Sequence, residues 1–360
     1  MNQYNSAKGS HDDVVTEISG QLGIITLNRP EALNALTLDM IRTITATLKV
    51  WERNEKVRHV MFVGAGERAF CAGGDLKTCY KVGMEYRRGH TNLKVPCLFF
   101  AEEYQFNKYL WNYSKPLISF MNGITMGGGY GVAGNSKHRV VTDKTVFAMP
   151  EVAIGFFPDV GSMYHLPRFK GQIGRYLALT GNTIEADDAH YAGVGEYYIP
   201  STKKVELIQA LSNTGSVAET LRSFSFDPDS DAPMDGHADK IASIFAHDKV
   251  EDILSALEAD GSAWAADIYE TMTAERSPAS IYVTAEYFRR TQHKSVDEVL
   301  DMDFHLAQIF VQRPDLYEGI RRAVLDKQYK PAWDPARLKD ITDEHVNDYF
   351  RPAAYDLKDM

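Results

Sequence analysis

The fold is decided by two glycine-rich stretches, GAGERAFCAGGDLK at residues 64–77 and NGITMGGGYG at residues 122–131. Each follows a short apolar run that is typical of a buried strand, HVMFVG at 59–64 and LISFM at 117–121. The second stretch also precedes a helix-like segment at 129–135. Because glycine lets a backbone approach a ligand closely and adopt positive φ, both loops can direct N–H groups at one point. Two such groups would form an oxyanion hole, although either loop taken alone is equally explained by tight turns.

Neither loop has the spacing of a nucleotide-binding motif. The pattern GxxxxGK[ST] is absent, and neither loop fits GxGxxG followed by a suitably placed acid. The loops are therefore predicted to bind something other than a nucleoside triphosphate or a dinucleotide.

The segments around the two loops repeat a strand–strand–helix pattern. Residues 14–19 and 22–27 alternate apolar and polar side chains across a short turn, which indicates a hairpin. A helix follows with Thr37 as its N-cap, and further strands fall between 139 and 148. The pattern predicts an α/β fold of repeated ββα units over residues 13–200.

After about residue 200 the strand patterns nearly vanish. Ser277 and Pro278 form a strong helix-start signal, because the hydroxyl can cap the helix and proline suits its first turn. The stretch at 226–236 is a turn-rich connector. Eight segments have helical patterns, at 203–212, 216–224, 235–246, 249–259, 263–275, 278–292, 296–312 and 315–325. We predict a helical region over 201–360 and a disordered lead-in at residues 1–12.

Composition narrows the class of protein. The 360 residues include 49 acidic and 39 basic ones, and the net charge of -10 argues against a surface that coats nucleic acid. The three cysteines are too few and too irregularly spaced for a disulfide framework or a metal site. No apolar run has the length of a membrane span, and the N-terminus lacks the features of a targeting peptide. We expect a cytoplasmic protein with no nucleic-acid or membrane partner.

Motifs in both halves of the chain carry a family resemblance. In chain order the first four are NRPEALNAL at 28–36, AFCAGGDLK at 69–77, GITMGGGYG at 123–131 and FAMPEVAIGFFPDVG at 147–161. Their order and spacing resemble the crotonase (enoyl-CoA hydratase/isomerase) superfamily. The later motifs are ERSPASIYVT at 275–284, SVDEVLDMDF at 295–304 and YEGIRRAVLDKQYKPAWDP at 317–335, which resemble the 3-hydroxyisobutyryl-CoA hydrolase branch. The resemblance implies a crotonase-like spiral of ββα units with an extended helical C-terminal region.

The resemblance also implies roles for five residues around a thioester. Gly73 and Gly128 match the positions of the two oxyanion-hole amides. Glu151 and Asp159 match the catalytic acids, and Glu103 matches a further acid at the substrate end of the pocket. Two roles are open to Glu151, attack on the carbonyl carbon or deprotonation of water. Two are also open to Asp159, which can hold a substrate hydroxyl or take part in proton transfer.

Two sets of residues are expected to contact the CoA portion of the substrate. The first matches the backbone that cradles the adenine and ribose in the family, and comprises Ala32, Leu33, Ala72, Asp75 and Leu76. The second is a basic run in the predicted loop region after the first glycine-rich stretch, formed by Lys77, Lys81, Arg87, Arg88 and Lys94. This run either contacts the phosphates or is a solvated face. The resemblance implies no metal and no cofactor beyond the CoA of the substrate, and it makes a homo-oligomer a further expectation.

One position separates two activities of the superfamily. Hydratases add water with two opposed glutamates, and the first of these lies two positions after the triple glycine, where this chain has Gly131. We therefore expect hydrolysis of a short branched 3-hydroxyacyl-CoA thioester, with 3-hydroxyisobutyryl-CoA of valine breakdown as the substrate. The alternatives are an enoyl-CoA hydratase or isomerase of the same superfamily, and a non-catalytic acyl-CoA-binding protein.

Overall fold

A computed structural model of the protein describes residues 13–228 and 232–360. The predicted lead-in at 1–12 and three residues of the predicted connector, 229–231, lie outside the described residues. The rest of that connector includes a short 3₁₀ helix, Pro233–His237.

The chain begins with the predicted hairpin and helix. Strands β1 (Val14–Ser19) and β2 (Leu22–Leu27) pair in antiparallel register. Helix α1 (Leu38–Glu52) follows, and the Thr37 side chain accepts a hydrogen bond from the amide of Met40 at 3.2 Å. Both elements confirm the sequence prediction.

Successive strands then alternate between two sheets. The larger sheet has the order β1-β2-β3-β5-β7-β10, and its later strands are β3 (His59–Gly64), β5 (Leu117–Met121), β7 (His138–Val141) and β10 (Tyr197–Tyr198). The smaller sheet has the order β4-β6-β8-β9, formed by β4 (Ala69–Cys71), β6 (Ile124–Met126), β8 (Val146–Ala148) and β9 (Ile184–Glu185). Because β4 and β6 are parallel neighbours, the glycine-rich segments that follow them leave the same edge of the smaller sheet.

Helices fill the spaces between the strands of the first half. They are α2 (Leu76–Arg87), α3 (Lys94–Trp111), α4 (Gly128–Gly134), α5 (Ser162–His165), α6 (Ile173–Thr180) and α7 (Ala186–Ala192). Together with the alternating strands, they confirm the predicted ββα units. Short 3₁₀ helices lie at Pro30–Ala32, Glu151–Ile154, Leu166–Arg168 and Ser201–Lys203.

The prediction of a loop after the first glycine-rich stretch is wrong, because that segment is helix α2. The Asp75 side chain accepts a hydrogen bond from the Thr78 amide at 3.2 Å and caps the helix. The buried face is narrow, and a Cβ on Gly83 would lie 2.3 Å from the ring of Tyr317. The apolar pattern of the sequence did not indicate α2, because its buried face packs against Tyr317, which is far along the chain.

The remaining described chain is helical, as predicted. All eight predicted segments contain a helix, and one further helix lies near the C-terminus. They are α8 (Lys204–Ser212), α9 (Val217–Phe224), α10 (Ala238–Ile244), α11 (Val250–Asp260), α12 (Ala263–Glu270), α13 (Pro278–Thr291), α14 (Val296–Phe310), α15 (Pro314–Ile320) and α16 (Asp343–Tyr349). Single π-helical turns extend α12 and α15 at Thr271–Glu275 and Arg321–Leu325, and 3₁₀ helices occur at Leu338–Asp340 and Leu357–Asp359.

The helical region packs directly on the α/β region. Buried leucines of α8 and α9 cover one face of the larger sheet, among them Leu207, Leu211 and Leu221. On the other side α14 lies along α3. The division of the chain at residue 200 stays a prediction. None of the helices in the described ranges is both long and apolar enough to cross a bilayer.

Candidate functional site

A cavity of about 460 Å³ opens where the two glycine-rich segments meet α3 and the helical region. Leu76, Phe99, Phe100 and Phe156 form much of its apolar wall. Phe100 and Phe156 stack with ring centroids 5.2 Å apart. A cavity of this size with an apolar wall and a few polar groups is typical of a small-molecule site.

The backbones of the two glycine-rich segments converge inside the cavity. Gly73 has φ +110°, and Gly128 is the first residue of α4. A Cβ on Gly73 would lie 3.6 Å from the Gly128 nitrogen, and a Cβ on Gly128 would lie 3.3 Å from the Gly74 nitrogen. The structure thus brings Gly73 and Gly128 together, and Gly74 adds an amide that sequence reasoning did not name. The oxyanion-hole role of this group stays a prediction.

Three buried carboxyl groups share the cavity with these amides. Glu103 comes from α3, Glu151 opens a 3₁₀ helix, and Asp159 lies in the turn before α5; their exposed fractions are 3%, 5% and 5%. Glu103 Oε1 and Glu151 Oε2 have no hydrogen-bond partner among the described residues. A buried polar atom without a partner is unfavourable in an isolated protein, and a bound substrate can supply the missing donor.

Burial raises the pKa of all three carboxyl groups. It raises the pKa of Glu103 and of Glu151 well above the usual range, and repulsion from Asp159 adds to both shifts. Burial also raises the pKa of Asp159 to about 7, although the Tyr104 hydroxyl donates a hydrogen bond to Asp159 Oδ2 and opposes the shift. Tyr104 was not singled out from the sequence.

The position of the missing hydratase glutamate is filled by other side chains. A Cβ on Gly131 would lie 2.8 Å from the Cβ of Val160 and 3.1 Å from Asn107 Oδ1. A side chain therefore cannot enter the cavity from position 131 without displacing Val160. The Glu103 carboxyl group lies beside the same glycine-rich segment, since its Oε1 would lie 2.3 Å from a Cβ on Gly128.

The residues expected to cradle the adenine and ribose divide into two groups. Ala72 and Leu76 line the cavity. The Ala72 amide donates to the Leu33 carbonyl at 3.0 Å, which places Ala32 and Leu33 beside the first glycine-rich segment. Asp75 does not line the cavity.

The side chain of Asp75 is occupied elsewhere. It forms an ion pair with Arg29 at 3.2 Å and caps α2.

Four of the five residues of the basic run lie on helices α2 and α3, and Arg88 directly follows the end of α2. Arg87 contacts the Tyr317 ring at 5.1 Å and Arg88 pairs with Glu85 at 2.9 Å. Lys94 begins α3 and contacts the Tyr355 ring. None of the five predicted cations of this run lines the cavity.

The cations that do line the cavity come from the helical region. They are Arg276, Arg322 and Lys327. They fall within the C-terminal motifs, but no local pattern assigned them to the site, because their approach depends on how distant helices pack.

The three cysteines are unsuited to nucleophilic chemistry. Burial raises the pKa of the Cys71 and Cys97 thiols to about 12, and raises that of Cys79, which lines the cavity, well above its usual range. A thiol is a nucleophile only when ionised. The carboxyl groups Glu103, Glu151 and Asp159 are the acids that line the same cavity.

Comparison with known proteins agrees with this architecture. The family model described as enoyl-CoA hydratase/isomerase matches residues 22–350. A protein from Bos taurus named 3-hydroxyisobutyryl-CoA hydrolase, mitochondrial, is 40% identical over 99% of this chain and 97% of its own length.

Two solved structures extend the comparison to the whole fold. One, described as a carnitinyl-CoA dehydratase from Mycobacterium thermoresistibile, is 36% identical with a TM-score of 0.88, over 97% of this chain and 98% of its own. Another, described as an enoyl-CoA hydratase from Rhodobacter sphaeroides, is 33% identical with a TM-score of 0.84, over 94% of this chain and 97% of its own. The predicted crotonase fold is confirmed, and the chain belongs to the enoyl-CoA hydratase/isomerase family.

Proposed function

We propose that the protein hydrolyses a short branched 3-hydroxyacyl-CoA thioester, with 3-hydroxyisobutyryl-CoA of valine breakdown as the substrate and 3-hydroxyisobutyrate and CoA as products. The observation that carries the proposal is the convergence of three buried carboxyl groups on a pair of glycine-rich backbones inside one cavity. The likeness to a relative named 3-hydroxyisobutyryl-CoA hydrolase over nearly the whole chain supports it.

The reaction starts with the thioester carbonyl oxygen against the Gly73 and Gly128 amides, which stabilise the negative charge that develops there. Glu151 lies beside them, because its Oε1 would be 2.9 Å from a Cβ on Gly127. In one route Glu151 takes a proton from water, the water oxygen bonds to the carbonyl carbon, and the C–S bond breaks. The departing thiolate then takes the proton from Glu151, so that the carboxylate is restored.

In the second route the ionised Glu151 attacks the carbonyl carbon and CoA leaves as the thiolate. Water then hydrolyses the resulting anhydride to the product acid and the Glu151 carboxylate, and the proton that the water releases goes to the thiolate. Recovery of oxygen-18 in Glu151 after a single turnover in labelled water is the result that identifies the second route. Direct attack by water places the label in the product acid. The anhydride route can leave the label in the carboxyl group of Glu151, where mass spectrometry of the digested protein detects it.

The unpartnered oxygens explain why a hydroxylated acyl group is the proposed substrate. A substrate hydroxyl can donate a hydrogen bond to the unpartnered Glu103 Oε1, or to Asp159, which already accepts one from Tyr104. A site built to bond a hydroxyl rejects an analogue that lacks it, because its buried polar groups are then left without partners.

The assay compares release of free CoA thiol from 3-hydroxyisobutyryl-CoA and from isobutyryl-CoA. We expect kcat/KM to be higher for the hydroxylated substrate by at least about 10²-fold. Equal rates on both substrates would contradict the assigned hydroxyl contact, and no release from either would contradict hydrolysis.

Hydration or dehydration of an acyl-CoA is a second candidate, and two observations favour it. Glu103 supplies a second carboxyl group beside Gly128, and the solved structures described as a dehydratase and a hydratase cover nearly the whole chain. The test is loss of the conjugated-thioester absorbance of crotonyl-CoA without release of thiol. Binding of acyl-CoA with neither signal would leave the non-catalytic alternative.

We propose further that the reaction needs no metal and no cofactor beyond the CoA of its substrate. Carboxyl groups and backbone amides supply the proton transfers and the charge stabilisation that thioester hydrolysis requires. Activity should survive exhaustive dialysis against a chelator, and restoration by an added metal would contradict this.

The homo-oligomer and the cytoplasmic location remain predictions. The Bos taurus relative is named as mitochondrial, so the location is the less supported of the two. Sedimentation analysis of the purified protein tests the first, and imaging of the tagged protein in cells of its source tests the second.

A further inference from the structure

The turn at residues 159–162 carries Asp159 into the cavity in an unusual backbone conformation. Val160 has φ +56°, and Gly161 has φ +80°. A β-branched residue rarely adopts positive φ, because its side chain crowds the backbone. Such a conformation persists only where the surrounding structure imposes it. The contacts that hold the turn therefore set the direction of Asp159 together with Tyr104, whose hydroxyl donates to Asp159 Oδ2.

Hydrogen bonds from three parts of the described chain hold the backbone of this turn. The Ser162 amide donates to the Asp159 carbonyl at 2.9 Å, within the turn itself. Asn135 Nδ2 donates to the Val160 carbonyl at 3.0 Å from the end of α4. The third comes from the helical region, where Asp303 Oδ2 on α14 accepts from the Gly161 amide at 2.7 Å.

Asp303 is an unusual residue to find in the core. It is fully buried, and its Oδ1 accepts a hydrogen bond from the Tyr287 hydroxyl at 2.7 Å. No cation of the described ranges forms an ion pair with it, and burial together with repulsion from Asp159 raises its pKa well above the usual range. Burying an acid without a cation costs free energy, and at Asp303 the hydrogen bonds from the Gly161 amide and the Tyr287 hydroxyl offset that cost.

We propose that Asp303 is a positioning residue: its carboxyl group fixes the left-handed turn at Val160 and thereby aims Asp159 at the acyl end of the cavity. The effect on catalysis rests on the proposed function, whereas the effect on the turn does not. On this proposal the helical region completes the site by holding one of its acids, in addition to covering the cavity.

Three variants separate positioning from general stability. Asp303→Ala removes the acceptor of the Gly161 amide, and we expect kcat for thioester hydrolysis to fall about 10²-fold with KM changed by less than about threefold. Asp303→Asn keeps an oxygen for Gly161, while its amide donates to the Tyr287 hydroxyl, which can donate in turn to the Val299 carbonyl at 3.0 Å. Asp303→Asn should therefore retain kcat within about threefold. Leu306→Ala, a buried truncation on the same helix, should lower the melting temperature and leave kcat unchanged.

A second substitution tests the backbone argument. Glycine adopts positive φ without crowding. Val160→Gly therefore removes the backbone strain at position 160, so that the turn depends less on the hydrogen bond to Asp303. In the Asp303→Ala background it should recover at least about tenfold in kcat.

Amide hydrogen exchange tests the turn without any substrate. In the full-length protein, Asp303→Ala should accelerate exchange of the Gly161 amide by at least about tenfold, and Asp303→Asn should not. The proposal is overturned if exchange is unchanged in Asp303→Ala, or if Asp303→Ala and Leu306→Ala lower kcat equally. If the natural protein releases no thiol but exchange responds as expected, the proposed function fails and the positioning of the turn stands.

Discussion

The carboxyl groups of the cavity and those on the outer faces of the helices are held in opposite environments. Glu102 and Glu103 are adjacent on α3, yet Glu102 forms a double hydrogen bond with Arg42 and Glu103 has an oxygen with no partner among the described residues. On the surface of α14, Glu298 pairs with its helix cap and with Lys294, which lowers its pKa to about 2. Burial raises the pKa of Glu103 instead.

This contrast separates acids that are paired at the surface from acids that are buried without a cation. An ionised acid paired with a cation at the surface contributes little or slightly favourably to the free energy of folding. Acids buried without cations destabilise the fold in their ionised form, because the charge is removed from water without compensation. Groups of the second kind are expected where function requires them. Each experiment below tests one side of this division.

The largest effect is expected at Glu151. Glu151→Gln preserves the shape of the side chain but removes the carboxylate, so we expect kcat for thiol release to fall on the order of 10³-fold. Steady-state assays of free CoA thiol measure the loss of kcat. Glu102→Gln is the matched control, and it should keep full activity because Glu102 lies outside the cavity. Equal losses in both variants would remove the distinction between cavity and surface acids.

Asp159→Asn should have two effects. We expect kcat/KM to fall about 10²-fold, because a group that contacts the acyl portion is lost. The acid limb of the pH profile should also move to lower pH, since repulsion from Asp159 raises the pKa of Glu151 and the substitution removes that charge. The pH dependence of kcat/KM measures the shift, and a limb that stays in place or moves to higher pH would contradict the assigned coupling.

Gly131→Ala should lower stability. The new Cβ would meet the Val160 Cβ at 2.8 Å, and such overpacking costs about 1–3 kcal/mol of unfolding free energy. Thermal or denaturant unfolding measures the change. Gly215→Ala is the control, since a Cβ there has no neighbour within 4 Å. Similar losses in both variants would mean that the packing at Gly131 is not the cause.

The smallest effect is expected from Glu103→Gln on stability. The folded protein binds the Glu103 proton more tightly than the unfolded chain does, because burial raises the pKa of this group. In the unfolded chain the pKa of a glutamate is about 4.3, so stability falls as pH rises above about 4.3. Glutamine has no such dependence. The variant should be more stable than the natural protein by roughly 1–2 kcal/mol near about pH 8 and no more stable near about pH 4. A gain that is independent of pH would show that the carboxyl charge is not responsible.

Much of the fold could be predicted because its signals are local. The hairpin of β1 and β2, the Thr37 cap of α1 and the Ser277 cap of α13 each depend on a few neighbouring residues. Helix α2 could not be predicted in this way. Its buried face includes Gly83, which is small so that Tyr317 can pack against it from the distant α15.

The residues of the site also differ in whether local motifs predict them. Glu103, Glu151 and Asp159 were accessible from motifs, because the resemblance fixes their positions along the chain. Asp303 and Arg322 were not, because their place in or beside the cavity depends on how helices far along the chain dock on the α/β region. Sequence spacing alone carries no signal for such contacts.

The state of the three cysteines has a practical consequence for measuring the activity. Cys71 and Cys97 are buried, and all three thiols have raised pKa values, so they stay protonated and react slowly with disulfide reagents in the native protein. Cys79 lines the cavity, where a bound acyl-CoA would cover it. A colorimetric thiol assay on the folded enzyme should therefore have a low background, and its signal should report the CoA released from the substrate.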